Sequence, residues 1–136
     1  MCAMRQGFTQ RRMMNANARK WVEALRSGRY KQGRNRLRTE YGYCCLGVAC
    51  EVYRRETGGG IWEEGTLDFH IFDGTGRRVV EKVVLPDAVS KWLGLVDRAG
   101  FFEGGALTNL NDSGTPFDGI ANVIESEPPM LFVKEV

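Results

Sequence analysis

Three clustered cysteines, Cys44, Cys45 and Cys50, and a single histidine, His70, are the side chains best suited to metal binding or covalent catalysis. Together they would make a Cys3His set for zinc. Structural zinc sites draw on short knuckles with two or so intervening residues, whereas adjacent cysteines on a helix point about 100° apart. Redox catalysis fares no better, because the reactive CxxC spacing is absent. Neighbouring cysteines also make a poor disulfide. A Cys–His nucleophilic pair would need His70 beside the cysteine helix, and a histidine in an alternating strand more often faces solvent. The carboxylate pairs Glu63/Glu64 and Asp112/Asp118 have the composition of ordinary surface charge. Gly58, Gly59 and Gly60 follow a helix, so they lack the strand–loop–helix setting of a phosphate cradle. No enzyme signature results, and the sequence predicts no metal, no cofactor and no catalytic residue.

What is left is charge. Residues 1–38 carry eleven Lys and Arg against one acid, Glu23, a net +10, while the remainder nets −8. A segregated field of this kind steers an anionic partner to one face. The alternative is that the two halves attract each other. Within the basic third, residues 29–42 hold five cations in ten residues, and Gly33, Asn35 and Gly42 break any long helix. This loop is the best anion-binding candidate. Its proposed ligand residues are Arg29, Tyr30, Lys31, Gln32, Arg34, Arg36 and Arg38, since guanidinium forks bind phosphate oxygens in pairs and an aromatic ring can stack on a base. A second polar cluster, Asn109, Asn111, Asp112 and Ser113, precedes the last helix. Asn111 and Asp112 join the candidate set, against the competing reading of a turn with capping side chains.

The elements that must position these residues follow from periodicity. Ala18, Trp21, Val22 and Leu25 make one apolar stripe over 15–27, with Asn15 as N-cap and Gly28 as stop. The loop at 29–42 should pack Tyr30, Leu37 and Tyr41 and expose its arginines. Residues 44–57 read as the central helix, with Leu46, Ala49, Cys50 and Tyr53 inward and Glu51, Arg54, Arg55 and Glu56 towards the other side. Gly47 and Ala49 leave room for close approach of another helix or backbone. Residues 66–85 predict a β-hairpin turning at Asp73–Gly76, with Leu67, Phe69 and Ile71 on one side and Asp68, His70 and Phe72 on the other. A short helix from Pro86 to Leu93, one or two helical turns over 106–111 and a last helix started by Thr115 as N-cap complete the set. Residues 130–133 add an edge strand or dock as a tail.

This is an α+β fold: a single compact domain of about four helices packed with a β-hairpin or small antiparallel sheet, over residues 15–136, preceded by a flexible basic arm at 1–14. The length suits one domain with one core. The hydrophobic fraction of 43% and charged fraction of 26% are those of an ordinary globular protein. No apolar run approaches the roughly 18 residues of a membrane span, and the basic amino terminus lacks the apolar region of a secretory signal, so a cytoplasmic protein with reduced thiols is expected.

Four blocks, RKWVEALRSGRYKQGRNRLR, YCCLGVACEVY, LPDAVSKWLGL and LTNLNDSGTPFDGIANVIE, resemble in order a family of small uncharacterised proteins of tailed phages and prophages. The resemblance implies a phage source, action in the bacterial host cytoplasm and a compact mixed fold, and supplies no catalytic residues. The sequence therefore predicts a non-enzymatic accessory protein that binds a nucleotide or nucleic acid through its basic loop, in host takeover or anti-defence. The alternative is a protein–protein modulator of a host enzyme or defence factor. No membrane partner is expected, and self-association into a homo-oligomer is allowed for.

Overall fold

The computed structural model describes residues 14–134, in which two-stranded pairings, one three-stranded sheet and five helices surround a single core. In chain order these are α1 (Ala16–Arg26), β1 (Arg38–Thr39), β2 (Gly42–Tyr43), α2 (Cys45–Thr57), β3 (Ile61–Trp62), β4 (Phe69–Phe72), β5 (Arg78–Glu81), α3 (Asp87–Leu93), β6 (Phe101–Phe102), β7 (Gly105–Ala106), α4 (Leu107–Asp112) and α5 (Phe117–Glu125). The α+β class expected from the sequence is what the chain adopts. The expected arm lies outside the described residues, apart from Met14, which is buried in the core. No helix among the described residues is long and apolar enough to cross a membrane.

Helix α2 is the centre, and every residue from Cys45 to Val52 is buried. Helices α1, α3 and α4 all pack against it, and α1 also lies along α5. The two central helices are locked where the Trp21 indole N–H donates to the Cys45 carbonyl (2.9 Å), with Trp21 fully buried. Helix α1 starts at Asn15, whose side chain accepts from the Ala18 amide, and ends against Gly28 at φ +77°. Helix α2 ends on Gly58 in the left-handed region, which closes its last carbonyls without a Cβ clash.

One face of α2 differs from the expectation. Glu51 is buried, not turned to solvent. Burial pushes its pKa up, but hydrogen bonds from Arg54 (2.9 and 2.8 Å) and the Trp62 indole (2.9 Å) outweigh it and hold the carboxyl below its ordinary value. The sheet also gains a strand, its order being β3-β4-β5, all antiparallel, with Ile61 opposite His70 and His70 opposite Val80. Phe69 and Ile71 face the core as expected. Leu67 does not, because the chain turns there at φ +63°, and Asp68 is the buried residue instead.

At the other end, Thr115 is not the N-cap of α5. Pro116 takes that position and makes no side-chain cap bond. Thr115 belongs to the preceding turn, because its amide donates to the Leu110 carbonyl (2.9 Å). Leu110, expected to be buried, is only partly so, and Asn111 takes the buried place on α4. The carboxyl-terminal segment docks as a tail: Leu131 and Phe132 are buried, the Val96 amide donates to the Leu131 carbonyl (2.9 Å) and the Val133 amide to the Gly94 carbonyl (2.8 Å), on either side of the Leu95–Phe132 bridge.

Gly47 sets how closely the basic loop can lie on α2. A Cβ there would stand 1.7 Å from the Leu37 carbonyl oxygen, so the loop's backbone crosses the helix where there is no side chain. Gly47→Ala is expected to cost at least about 3 kcal/mol, more than ordinary overpacking because backbone must move. A Gly74→Ala control, open on every side and outside the left-handed region, should leave the melting temperature unchanged. Thermal denaturation of the two variants checks this.

Candidate functional site

The side chain that organises the polar face is Asn111, which is fully buried. Its Oδ1 accepts from the Gln32 side-chain amide (2.9 Å) and from the Cys45 backbone amide (3.0 Å). Its Nδ2 donates to the Gly33 carbonyl (2.8 Å) and to Asp112 (3.4 Å). One carboxamide thus joins α4, the basic loop and the first turn of α2, whose leading N–H groups have no partner within the helix. Cys44 assists as N-cap, its sulfur accepting from the Gly47 amide (3.3 Å). Gln32 also donates to the Thr115 carbonyl (2.8 Å), and Asp112 accepts from the Asn35 amide (2.8 Å).

Beyond this junction the loop closes on itself. The Tyr43 amide donates to the Lys31 carbonyl and the Gly33 amide to the Tyr43 carbonyl, while Arg38–Tyr43 and Thr39–Gly42 pair as a hairpin. Gly42 is required here, because a Cβ would meet the Lys31 carbonyl oxygen at 2.2 Å. Between this hairpin and the turn at 65–67 opens a cleft of about 720 Å³, lined by Gln32, Arg34, Arg36, Arg38, Glu40 and Tyr41 among others. Two of the four non-glycine residues with positive φ among the described residues, Asn35 (+69°) and Leu67 (+63°), lie on its wall. Such conformations persist where surrounding bonds over-determine them, as the Asp112–Asn35 contact does here.

The three arginines are held differently. Arg36 reaches the buried carboxylate of Asp68 (2.5 Å) and the Thr66 carbonyl (3.3 Å), tying the loop to the sheet turn. Arg38 lies over the Tyr43 and Trp62 rings, 5.0 and 5.5 Å from their centroids. Cation–π contact holds the guanidinium without consuming its N–H donors, and Arg38 makes no ion pair among the described residues. Arg34 makes no ion pair among the described residues. Its guanidinium lies beside Gly114, next to the Asn111 turn.

The structure therefore brings Gln32, Arg34, Arg36 and Arg38 to one cleft, with Asn111 and Asp112 bracing it from behind. Arg29 and Tyr30 line a separate, smaller depression with Lys20, Glu23, Arg55 and Glu56. The Tyr30 ring packs edge-on against Tyr43 at 5.4 Å, and Lys31 is exposed outside the cleft. Tyr41, expected as a packed anchor, is 72% exposed at the rim, because the two-residue hairpin turn carries it away from the core. Sequence reasoning missed Glu40, Tyr41 and the 65–67 turn. The spacing Thr39–Gly42 was the signal available for the first two. Of the segregated basic charge, Lys20, Arg26 and Arg36 pair with Glu56, Glu125 and Asp68 of the acidic remainder, so part of it serves to join the halves.

The sulfurs stand apart from this cleft. Cys44, Cys45 and Cys50 are buried and unbridged, and burial pushes Cys44 up to about 11 and the other two well above the ordinary thiol value. Among the described residues no group of three or more His, Cys, Asp and Glu side chains is placed to hold a metal. His70 sits on the sheet and bonds Glu63 (3.0 Å).

A compact α+β domain with an arginine-lined cleft braced by one buried asparagine is thus the class of protein defined. The chain belongs to the family described as Domain of unknown function (DUF8296), whose family model matches residues 13–128. No curated protein and no solved structure matches it.

Asn111→Ala would leave the Cys45 amide and the Gly33 carbonyl buried without partners. The expected loss is about 3 kcal/mol, since each such group costs roughly 1–3 kcal/mol. Equilibrium urea unfolding measures it. The thiols offer a second check. Near pH 8 the native protein should leave Cys44, Cys45 and Cys50 unreactive towards a thiol-titrating disulfide reagent, with three thiols appearing only on denaturation.

Proposed function

We propose that this protein is a non-enzymatic binder of a phosphate-bearing ligand, a nucleotide or nucleic acid, which it holds in the arginine cleft. One observation carries the reading: Arg34, Arg36 and Arg38 line one cleft, and Arg34 is opposed by no acid there beyond Glu40 on the rim. Arg38 adds oriented donors, and Arg36 a positive charge already fixed in position by Asp68. Binding without catalysis is supported by the chemistry of the candidate nucleophiles, since raised thiol pKa values disfavour the thiolate. We place it as a phage or prophage accessory protein acting in the bacterial cytoplasm, in host takeover or anti-defence. That setting rests on the four sequence blocks.

A second reading, a modulator of a host enzyme or defence factor, has one observation in its favour. The same rim exposes Tyr41 and Arg34, residue types that anchor protein interfaces. It would engage an acidic partner surface. A pull-down from host lysate would then return one stoichiometric acidic protein, lost on joint charge reversal of Arg34 and Arg36.

Thermal shift and calorimetry with a nucleotide panel and mixed-sequence nucleic acid test the first reading. Arg34→Ala and Arg38→Ala should each weaken binding by roughly 10-fold or more, the scale of one charge-assisted hydrogen bond. Lys31→Ala, outside the cleft, should leave it unchanged. If nucleic acid is the ligand, affinity should fall by roughly 10³–10⁵-fold between about 50 and 200 mM salt for six to ten phosphate contacts. Silence across the whole panel would end this reading.

A further inference from the structure

The cleft has a rim as well as a floor, and the rim carries the information a phosphate site alone lacks. Tyr41 and Glu40 form the two-residue turn between β1 and β2 and line the same cleft as Arg34, Arg36 and Arg38. Tyr41 takes part in none of the ring pairs among the described residues, whereas Tyr30, Tyr43, Tyr53, Trp62, Phe69 and Trp92 all do. It is exposed yet not on a loose loop. Its amide donates to the Thr39 hydroxyl (3.1 Å), that hydroxyl faces the Gly42 carbonyl (3.4 Å), and Gly42 is wedged against Lys31. The backbone that carries this large aromatic face is thereby fixed beside a cationic cleft, an arrangement suited to stacking one base while phosphate meets the arginines.

Glu40 narrows the ligand in two ways. A carboxylate on the rim repels a strand of phosphates, and among the described residues the cations beyond the cleft do not form the continuous track that a strand follows. Lys20 and Arg26 are spent on Glu56 and Glu125, and the second depression mixes Arg29 and Arg55 with Glu23 and Glu56. The volume, about 720 Å³, is that of a small-molecule site. The carboxylate also accepts hydrogen bonds and donates none. A base that stacks on Tyr41 is favoured when its edge presents N–H donors. Guanine presents two adjacent ones, N1–H and N2–H, which match the two carboxylate oxygens. Adenine presents only one exocyclic amine beside an acceptor.

We propose that the cleft takes a single guanine nucleotide, its base stacked on Tyr41 and read by Glu40, its phosphate held by Arg34 and Arg38. This rests on the cleft being the phosphate site, and the test separates the two. Calorimetry on the full chain would compare guanosine monophosphate, adenosine monophosphate, inorganic phosphate and a mixed-sequence single-stranded oligonucleotide. The expected result is at least about 10-fold tighter binding of guanosine monophosphate than of each of the first two alternatives, with stacking alone worth several-fold or more. Tyr41→Ala should lose about 10-fold for guanosine monophosphate and nothing for phosphate. Glu40→Gln should erase most of the preference over adenosine monophosphate. Both positions are exposed, so matching circular dichroism and melting temperature would confirm that the variants fold. Equal affinity for phosphate and both nucleotides, or preference for adenosine monophosphate or for the oligonucleotide, would overturn the guanine proposal and leave the phosphate site standing. No binding of any of the four would remove both.

Discussion

The polar half of this protein depends on one buried carboxamide. Asn111 sits where three distant stretches meet, and its amide satisfies donors and acceptors that none of those stretches can satisfy alone. A helix start needs its first amides capped, an irregular loop needs its carbonyls paired, and both are buried here. The same contact fixes the loop against α2 at the height that Gly47 permits. Hydrophobic burial drives the helices together, but this junction decides where the arginines end up. Buried polar groups joined in this way are costly to leave half-satisfied, which makes the arrangement specific as well as stabilising.

Once the loop is pinned, its cations divide between structure and availability. Arg36 becomes a strut to the sheet through Asp68, and Arg38 lies over two aromatic rings, one of which, Trp62, is itself braced by Glu51. Arg34 is left without an acid partner among the described residues. A net charge counted along the sequence treats these three alike. In the fold they differ in what an anion would have to displace, and the cleft is prepared largely because two of its guanidiniums are already immobilised.

Helix positions were legible because their signals are local. The stripe of Ala18, Trp21, Val22 and Leu25, the Asn15 cap and the glycines at 28, 58 and 94 act within a turn of their own residues. Gly47 was legible as a place of close approach, though not as the place where Leu37 crosses. What sequence could not separate is whether a polar side chain serves solvent or a partner far along the chain. Gln32 and Asn111 lie 79 residues apart and hydrogen-bond each other, so two ligand candidates also brace the fold. Glu51 and Asp68 looked like surface acids and are buried against Arg54 and Arg36. Tyr41 looked like an anchor because aromatics usually are, and the hairpin turn carries it outward. KQG, CCLGV and LND, short runs inside three of the four sequence blocks, converge on the Asn111 carboxamide.

The central claim is that a junction built on Asn111 presents a ready-made anion cleft between the basic loop and the sheet turn. Amide nuclear magnetic resonance during titration with guanosine monophosphate tests it most directly. The account predicts saturable shifts concentrated at residues 33–41 and 65–67, with the Asn111 side-chain amide still protected from exchange. Shifts centred on the depression at Lys20, Arg29 and Arg55, or loss of Asn111 protection on binding, would contradict it.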